Sequence, residues 1–94
     1  MITMKGTWKN ELTKFIQTKE KNLPMAPDSE VLSLVLKCVD VDNYYQLTHE
    51  LGKSYTEVCL KFFEDNQDYE TCQVIVEEVE RYNKQNGTEI VLVV

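Results

Sequence analysis

Tyr55, Val58, Cys59, Phe62 and Phe63 stand at i, i+3, i+4, i+7 and i+8, so a helix turning once every ~3.6 residues carries all five on one side. A stripe this apolar must be covered, and the remaining sequence supplies covers at the same periodicity. Trp8, Leu12, Phe15 and Ile16 form one, Tyr44, Leu47, Thr48 and Leu51 a second, and Cys72, Ile75, Val76, Val79 and Tyr82 a third. The run from Val31 to Val39 is apolar almost all round. It suits a buried helix or a central strand equally, and the helix-entry pattern Pro27-Asp28-Ser29-Glu30 tips the reading to helix.

The breaks between these faces are marked. Thr7 is placed to cap the first helix, and Leu23-Pro24-Met25-Ala26-Pro27 ends it, because proline lacks the amide donor and moves its predecessor out of the α region. Asp28 or Ser29 caps the next helix, Asp42 caps Asn43 to Leu51, and Gly52 is the expected stop. Ser54 and Glu57 have capping-box spacing. Asn66-Gln67-Asp68 is a turn, after which a helix runs from about Tyr69 to Gln85 and ends at Asn86-Gly87. Its Glu77–Arg81 and Glu80–Lys84 spacings predict favourable i, i+4 pairs. Met1 to Met4 alternates, and Thr88 to Val94 is a β-branched apolar run; both predict strands, natural partners in one small sheet. The sequence thus predicts a single α+β domain over residues 1–94, helix-rich with four to five helices, and a small sheet formed by the two chain ends. With 94 residues at 11.0 kDa, a second domain would leave neither half enough surface to bury. No internal repeat or low-complexity tract is present.

Little in the chain has the pattern of catalytic chemistry. His49, the only histidine, has Tyr45 and Lys53 at i±4, so no metal pair faces it. Cys38, Cys59 and Cys72 are an odd set without Cys-x-x-Cys spacing and read as buried free thiols. Asp40 and Asp42 form Asp-x-Asp, without the glycine and final glutamate of a calcium loop. The three glycines, at 6, 52 and 87, are used by turns and caps, leaving no phosphate cradle. The expectation is a protein that is not an enzyme and needs no metal or cofactor. No run approaches the ~18 apolar residues of a membrane span, and the first residues lack a secretory signal's order, which predicts a cytoplasmic protein. Gly, Ala, Arg and Pro, all with GC-rich codons, are scarce. An AT-rich genome follows, a property of many phages and low-GC bacteria.

Charge is uneven. Residues 1–27 carry +3 and residues 28–94 carry −9. Between Lys61 and Arg81 no basic residue occurs, while Glu64, Asp65, Asp68, Glu70, Glu77, Glu78 and Glu80 do. Such a block is a solvated face or an interaction surface.

Three resemblances bear on function. The segment Tyr44 to Phe63 resembles the helix-turn-helix of bacterial repressors, with Leu47, Leu51, Gly52 and Val58 at its core and turn positions; Lys53 and Lys61 depart from the pattern. That resemblance implies a DNA-binding regulator. The face that would read bases, Ser54, Tyr55, Thr56, Cys59, Leu60 and Phe63, offers no arginine or lysine, and an acidic chain is repelled by a duplex. Composition and the carboxylates of residues 64–80 make the chain similar to small acidic DNA-mimic and anti-restriction proteins of phages. This implies an inhibitor that presents carboxylates in place of phosphates to a basic nucleic-acid-binding protein or nuclease, serving evasion of host defence in the host cytoplasm. The ending Val79 to Val94 is similar to the last helix and strand of barstar-type ribonuclease inhibitors, which implies a nuclease immunity protein. Of these the acidic inhibitor is the principal expectation, with no direct nucleic-acid or membrane contact. Its partner-binding residues are Glu64, Asp65, Asp68, Glu70, Glu77, Glu78, Glu80 and Tyr69, with Tyr44 or Tyr45 as a further aromatic anchor. A terminal strand left at a sheet edge would pair two copies into a dimer.

Overall fold

A computed structural model describes residues 8–92. Five α-helices follow one another: α1 (Trp8–Thr18), α2 (Ser29–Asp40), α3 (Tyr44–Leu51), α4 (Lys53–Asp65) and α5 (Tyr69–Asn86). A 3₁₀ turn, Glu20–Asn22, follows α1. The helical stripes dictate the assembly. α4 contributes Tyr55, Thr56, Cys59, Leu60, Phe62 and Phe63 to the interior, and α1, α3 and α5 pack around it, while α3 also meets α2 and α5. Leu12 and Ile16 of α1, Val35 and Cys38 of α2, Leu47 of α3 and Ile75 of α5 are all almost fully buried against these side chains. Each large aliphatic or aromatic residue so placed contributes about 1.5–3 kcal/mol relative to exposure. Phe62 sits edge-on between Phe15 and Phe63, with ring centroids 5.6 and 5.2 Å away. The Val31–Val39 run is helical. Asp28 caps it, its Oδ1 accepting the Val31 N–H at 2.9 Å. The connector before it is pinned to α4, because the buried Tyr55 hydroxyl donates to the Met25 carbonyl at 2.7 Å.

The expected α+β fold is corrected to all-α: no strand occurs among the described residues. Met1 to Met4 lies outside them, as do Thr7 and residues 93–94. The reason residues 88–92 form no sheet is visible in α5. Its Asn83 carboxamide takes the place of a neighbouring strand: the Ile90 N–H donates to Asn83 Oδ1 at 3.0 Å, and Asn83 Nδ2 donates to the Ile90 carbonyl at 2.9 Å. Two other local expectations also change. Asn43, not Asp42, caps α3, its Oδ1 accepting the Gln46 N–H at 3.2 Å. Ser54 caps nothing, because α4 already begins at Lys53 with Gly52 as the half-in residue. Gly52 is the whole link between α3 and α4. At φ +88° and ψ −179° it holds a backbone conformation that side-chain-bearing residues avoid.

Candidate functional site at the acidic end

Two turns built on the same plan create this end of the molecule. After α2, the Asn43 N–H donates to the Cys38 carbonyl at 2.8 Å and the Asp42 N–H to the Val39 carbonyl at 3.2 Å. After α4, the Asp68 N–H donates to the Phe63 carbonyl at 2.8 Å and the Gln67 N–H to the Glu64 carbonyl at 3.0 Å. These paired bonds are the Schellman termination, which needs one left-handed residue. Asp42 (φ +55°) and Gln67 (φ +60°) provide it without glycine. In each turn the next residue at once caps a new helix, Asn43 for α3 and Asp68 for α5. Asp68 does so with both oxygens, accepting from the Thr71 N–H at 3.2 Å and the Thr71 hydroxyl at 2.7 Å.

Because α3 packs on α5, the two turns lie side by side. Burial raises the Asp42 carboxyl above its ordinary value, and the charges of Asp68, Asp40 and Glu78 push it further. The charges of Asp40, Asp42 and Asp68 therefore act on one another across the two turns, with the weakest contribution from Glu78, further along α5. Asp40, Asp42 and Asp68 have no ion-pair partner among the described residues, whereas Glu78 is clamped by Arg81, Nε donating at 2.9 Å and the terminal nitrogen at 3.2 Å. Asp40 stands in the last turn of α2, the helix end where a negative charge is disfavoured. Helix stability does not account for it. Val41 and Tyr69, each 65% exposed, flank the two turns and add apolar and aromatic surface beside the carboxylates.

The seven carboxylates of the Lys61–Arg81 interval do not act as one uncompensated set. Lys61 reaches forward to Glu64 at 3.6 Å and Asp65 at 3.2 Å, and their proximity raises its own proton affinity, Asp65 chiefly. Glu77 accepts from Gln73 at 3.0 Å and not from Arg81, which is bound to Glu78. Glu80 and Lys84 form no ion pair. Glu70, Glu77 and Glu80 share the exposed outer side of α5 with Arg81 and Lys84. Of the expected residues, the structure brings Asp68 and Glu78 to the acidic end, and Tyr69 beside them. Tyr44 is no anchor, being wholly buried; Tyr45 lies under the Arg81 guanidinium, 4.5 Å from ring centre, and edge-on to Tyr82 at 5.1 Å. Asp40 and Asp42 stood outside the expected acidic surface because their Asp-x-Asp was weighed only against a calcium loop. The signal was available in Asp40-x-Asp42-Asn43-Tyr44 and Asp65-x-x-Asp68-Tyr69, two similar helix junctions.

The helix-turn-helix likeness loses its reading surface: Tyr55, Thr56, Cys59, Leu60 and Phe63 are buried in the core, and α4 is a central helix. The barstar-like ending loses its strand. Cys59 is enclosed and its thiol is pushed up to about 12 by burial first and Cys38 second, so it stays protonated and inert near neutrality. Among the described residues no three His, Cys, Asp or Glu side chains are grouped to hold a metal ion, and no helix is long and apolar enough to cross a membrane. No family model matches the chain, and neither curated proteins nor solved structures give a match.

Proposed function

We propose that this chain is a non-catalytic interaction protein that docks its acidic end on a basic nucleic-acid-binding protein or nuclease, occupying a cationic surface otherwise filled by phosphates. The observation that carries this reading is the pair of adjoining helix junctions, built alike, that set Asp40, Asp42 and Asp68 beside the exposed Val41 and Tyr69. A cluster of like charges costs folding energy, and a partner's cations would relieve that cost on binding. Exposed Tyr69 and Val41 give the surface an aromatic and an apolar contact of the kind that anchors interfaces. The functional residues are therefore Asp40, Asp42, Asp68, Glu78, Val41 and Tyr69. Glu70, Glu77 and Glu80 contribute long-range field from the side of α5, and Glu64 and Asp65 are largely offset by Lys61.

The test is capture of partners from a cell lysate on the immobilised chain, followed by elution in two arms. Partners that are nucleic-acid-binding proteins, released by about 0.3 M salt, where charges are screened within ~6 Å, and displaced by duplex DNA, support the reading. Neutral or acidic partners, or capture indifferent to both salt and DNA, would reject it.

A further inference from the structure

Asn86 and Gly87 close α5, and they are the one place in the chain where an asparagine precedes a glycine; Asn10, Asn22, Asn43, Asn66 and Asn83 each precede a residue with a side chain. The pairing matters chemically. The nitrogen of a residue without a Cβ is the least hindered backbone nucleophile for the side-chain carbonyl carbon of a preceding asparagine. Both residues are exposed, and nothing stands within 4 Å of where a Gly87 Cβ would be, so solvent base and water reach them. Three hydrogen bonds oppose the reaction. Asn86 Nδ2 donates to the Tyr45 hydroxyl at 3.0 Å and to the Tyr82 carbonyl at 2.9 Å, and the Gly87 N–H donates to the Asn83 carbonyl. The bond to Tyr45 is the one that crosses from α5 to α3. It holds a ring whose face is covered by the Arg81 guanidinium, 4.5 Å from ring centre.

We infer that Asn86 is a site of spontaneous covalent modification, converting to aspartate and isoaspartate through a cyclic imide with Gly87, and that the clasp to Tyr45 sets its rate. The reaction needs the last turn to open, so that the Gly87 nitrogen leaves the Asn83 carbonyl and faces the Asn86 carboxamide. Solvent hydroxide takes the Gly87 N–H proton, the nitrogen bonds to Asn86 Cγ, and the Cγ–Nδ2 bond breaks with Nδ2 leaving as ammonia. Water then splits the imide. Attack at Cγ gives aspartate, and attack at the backbone carbonyl carbon of Asn86 gives isoaspartate, whose chain runs through the side chain. Neither product restores the clasp: a carboxylate donates nothing to the Tyr82 carbonyl, and a new anion at a helix C-terminus is disfavoured. The same turn carries Asn83, which holds Thr88 and Ile90, so modification loosens residues 88–90 as well. The site lies at the opposite end of α5 from Asp68 and Tyr69, and it does not rest on the docking reading.

Incubation of the whole chain at neutral pH in heavy-oxygen water, folded and in urea, tests the inference, with label and isoaspartate mapped by mass spectrometry of proteolytic fragments. The expected result is label entering at Asn86 before any other asparagine, at least about tenfold more slowly in the folded chain, where local opening must come first. Tyr45→Phe removes one hydrogen bond and keeps the ring, so it is expected to raise the folded rate about two- to tenfold and to leave the rate in urea unchanged. Asn86→Asp stands for one product. It is expected to speed hydrogen exchange of the Thr88 and Ile90 amides while circular dichroism shows the helices intact. An Asn86 that takes up no label in urea, equal rates in the folded and unfolded chain, a folded rate that Tyr45→Phe leaves unchanged, or Thr88 and Ile90 amides no faster in Asn86→Asp would each overturn the inference.

Discussion

The hydroxyls of Thr48 and Thr56 meet at 2.8 Å in the closed interior between α3 and α4. Thr48 also donates to the Tyr44 carbonyl at 2.8 Å, so its one proton is used and Thr56 is the donor of the pair. Without Thr48, the acceptor left to Thr56 among the described residues is the Gly52 carbonyl at 3.4 Å. Thr48→Val is therefore expected to cost about 1–3 kcal/mol by stranding a buried hydroxyl, and Thr56→Val closer to 1 kcal/mol, because Thr48 keeps its carbonyl. Urea unfolding of the two variants measures both; a larger loss in Thr56→Val would contradict the assignment of the proton.

Tyr44 presents the opposite case. Its ring is wholly buried, yet its hydroxyl has no hydrogen-bond partner among the described residues. Burial first and the neighbouring Cys59 second keep the phenol protonated far above its ordinary value. Removing an unpaired buried oxygen while keeping the ring returns its desolvation cost, so Tyr44→Phe is expected to stabilise the fold by about 1 kcal/mol. A loss of stability in thermal or urea unfolding would show that the hydroxyl is satisfied in solution.

Gly52 and Gly87 separate two costs of positive φ. A Cβ at either position meets nothing within 4 Å, so any penalty is backbone strain alone. Gly52, at φ +88° and ψ −179°, lies where almost only glycine is found, and Gly52→Ala is expected to cost about 1–3 kcal/mol. Gly87 sits in the ordinary left-handed region at φ +64° and ψ +27°, and Gly87→Ala should cost about 1 kcal/mol. Equal losses in chemical unfolding would contradict the distinction.

The raised Asp42 carboxyl makes a signed prediction. The folded chain holds this proton more tightly than the unfolded chain, so the cluster opposes folding at neutral pH, and that opposition fades as pH falls through the raised value toward the ordinary 3.8. Asp42→Asn, whose side chain tolerates φ +55°, should therefore stabilise the fold more at pH 7 than near pH 4. A gain of the same size at both pH values would mean that folding does not raise the Asp42 carboxyl.

How much of this was legible in the sequence differs by element. The stripe from Tyr55 to Phe63 and the breaks at Pro24–Pro27, Gly52, Asn66–Asp68 and Gly87 marked four to five helices, because periodicity and punctuation are local properties, while the all-round apolar run from Val31 to Val39 carried no period to tell helix from strand. The terminal sheet was misread because the β-branched run from Thr88 carries no mark of Asn83, five to seven residues earlier, whose carboxamide takes Ile90's backbone groups. The acidic surface was read over too narrow a window. Counting charges between Lys61 and Arg81 ignored the reach of those two side chains to Glu64, Asp65 and Glu78. It also omitted Asp40 and Asp42, which only the packing of α3 on α5 brings to Asp68.

The central claim is that Asp40, Asp42 and Asp68, with Tyr69 beside them, form the docking surface for a cationic partner. Titration of the isotope-labelled chain with a short arginine-rich peptide, followed amide by amide in NMR spectra, tests it most directly. Saturable shifts concentrated at residues 40–43 and 67–70, abolished by about 0.3 M salt and by Asp40→Asn with Asp42→Asn, are the predicted result. Shifts centred on Glu77 and Glu80 along the outer side of α5, or scattered over every exposed carboxylate without saturation, would contradict it.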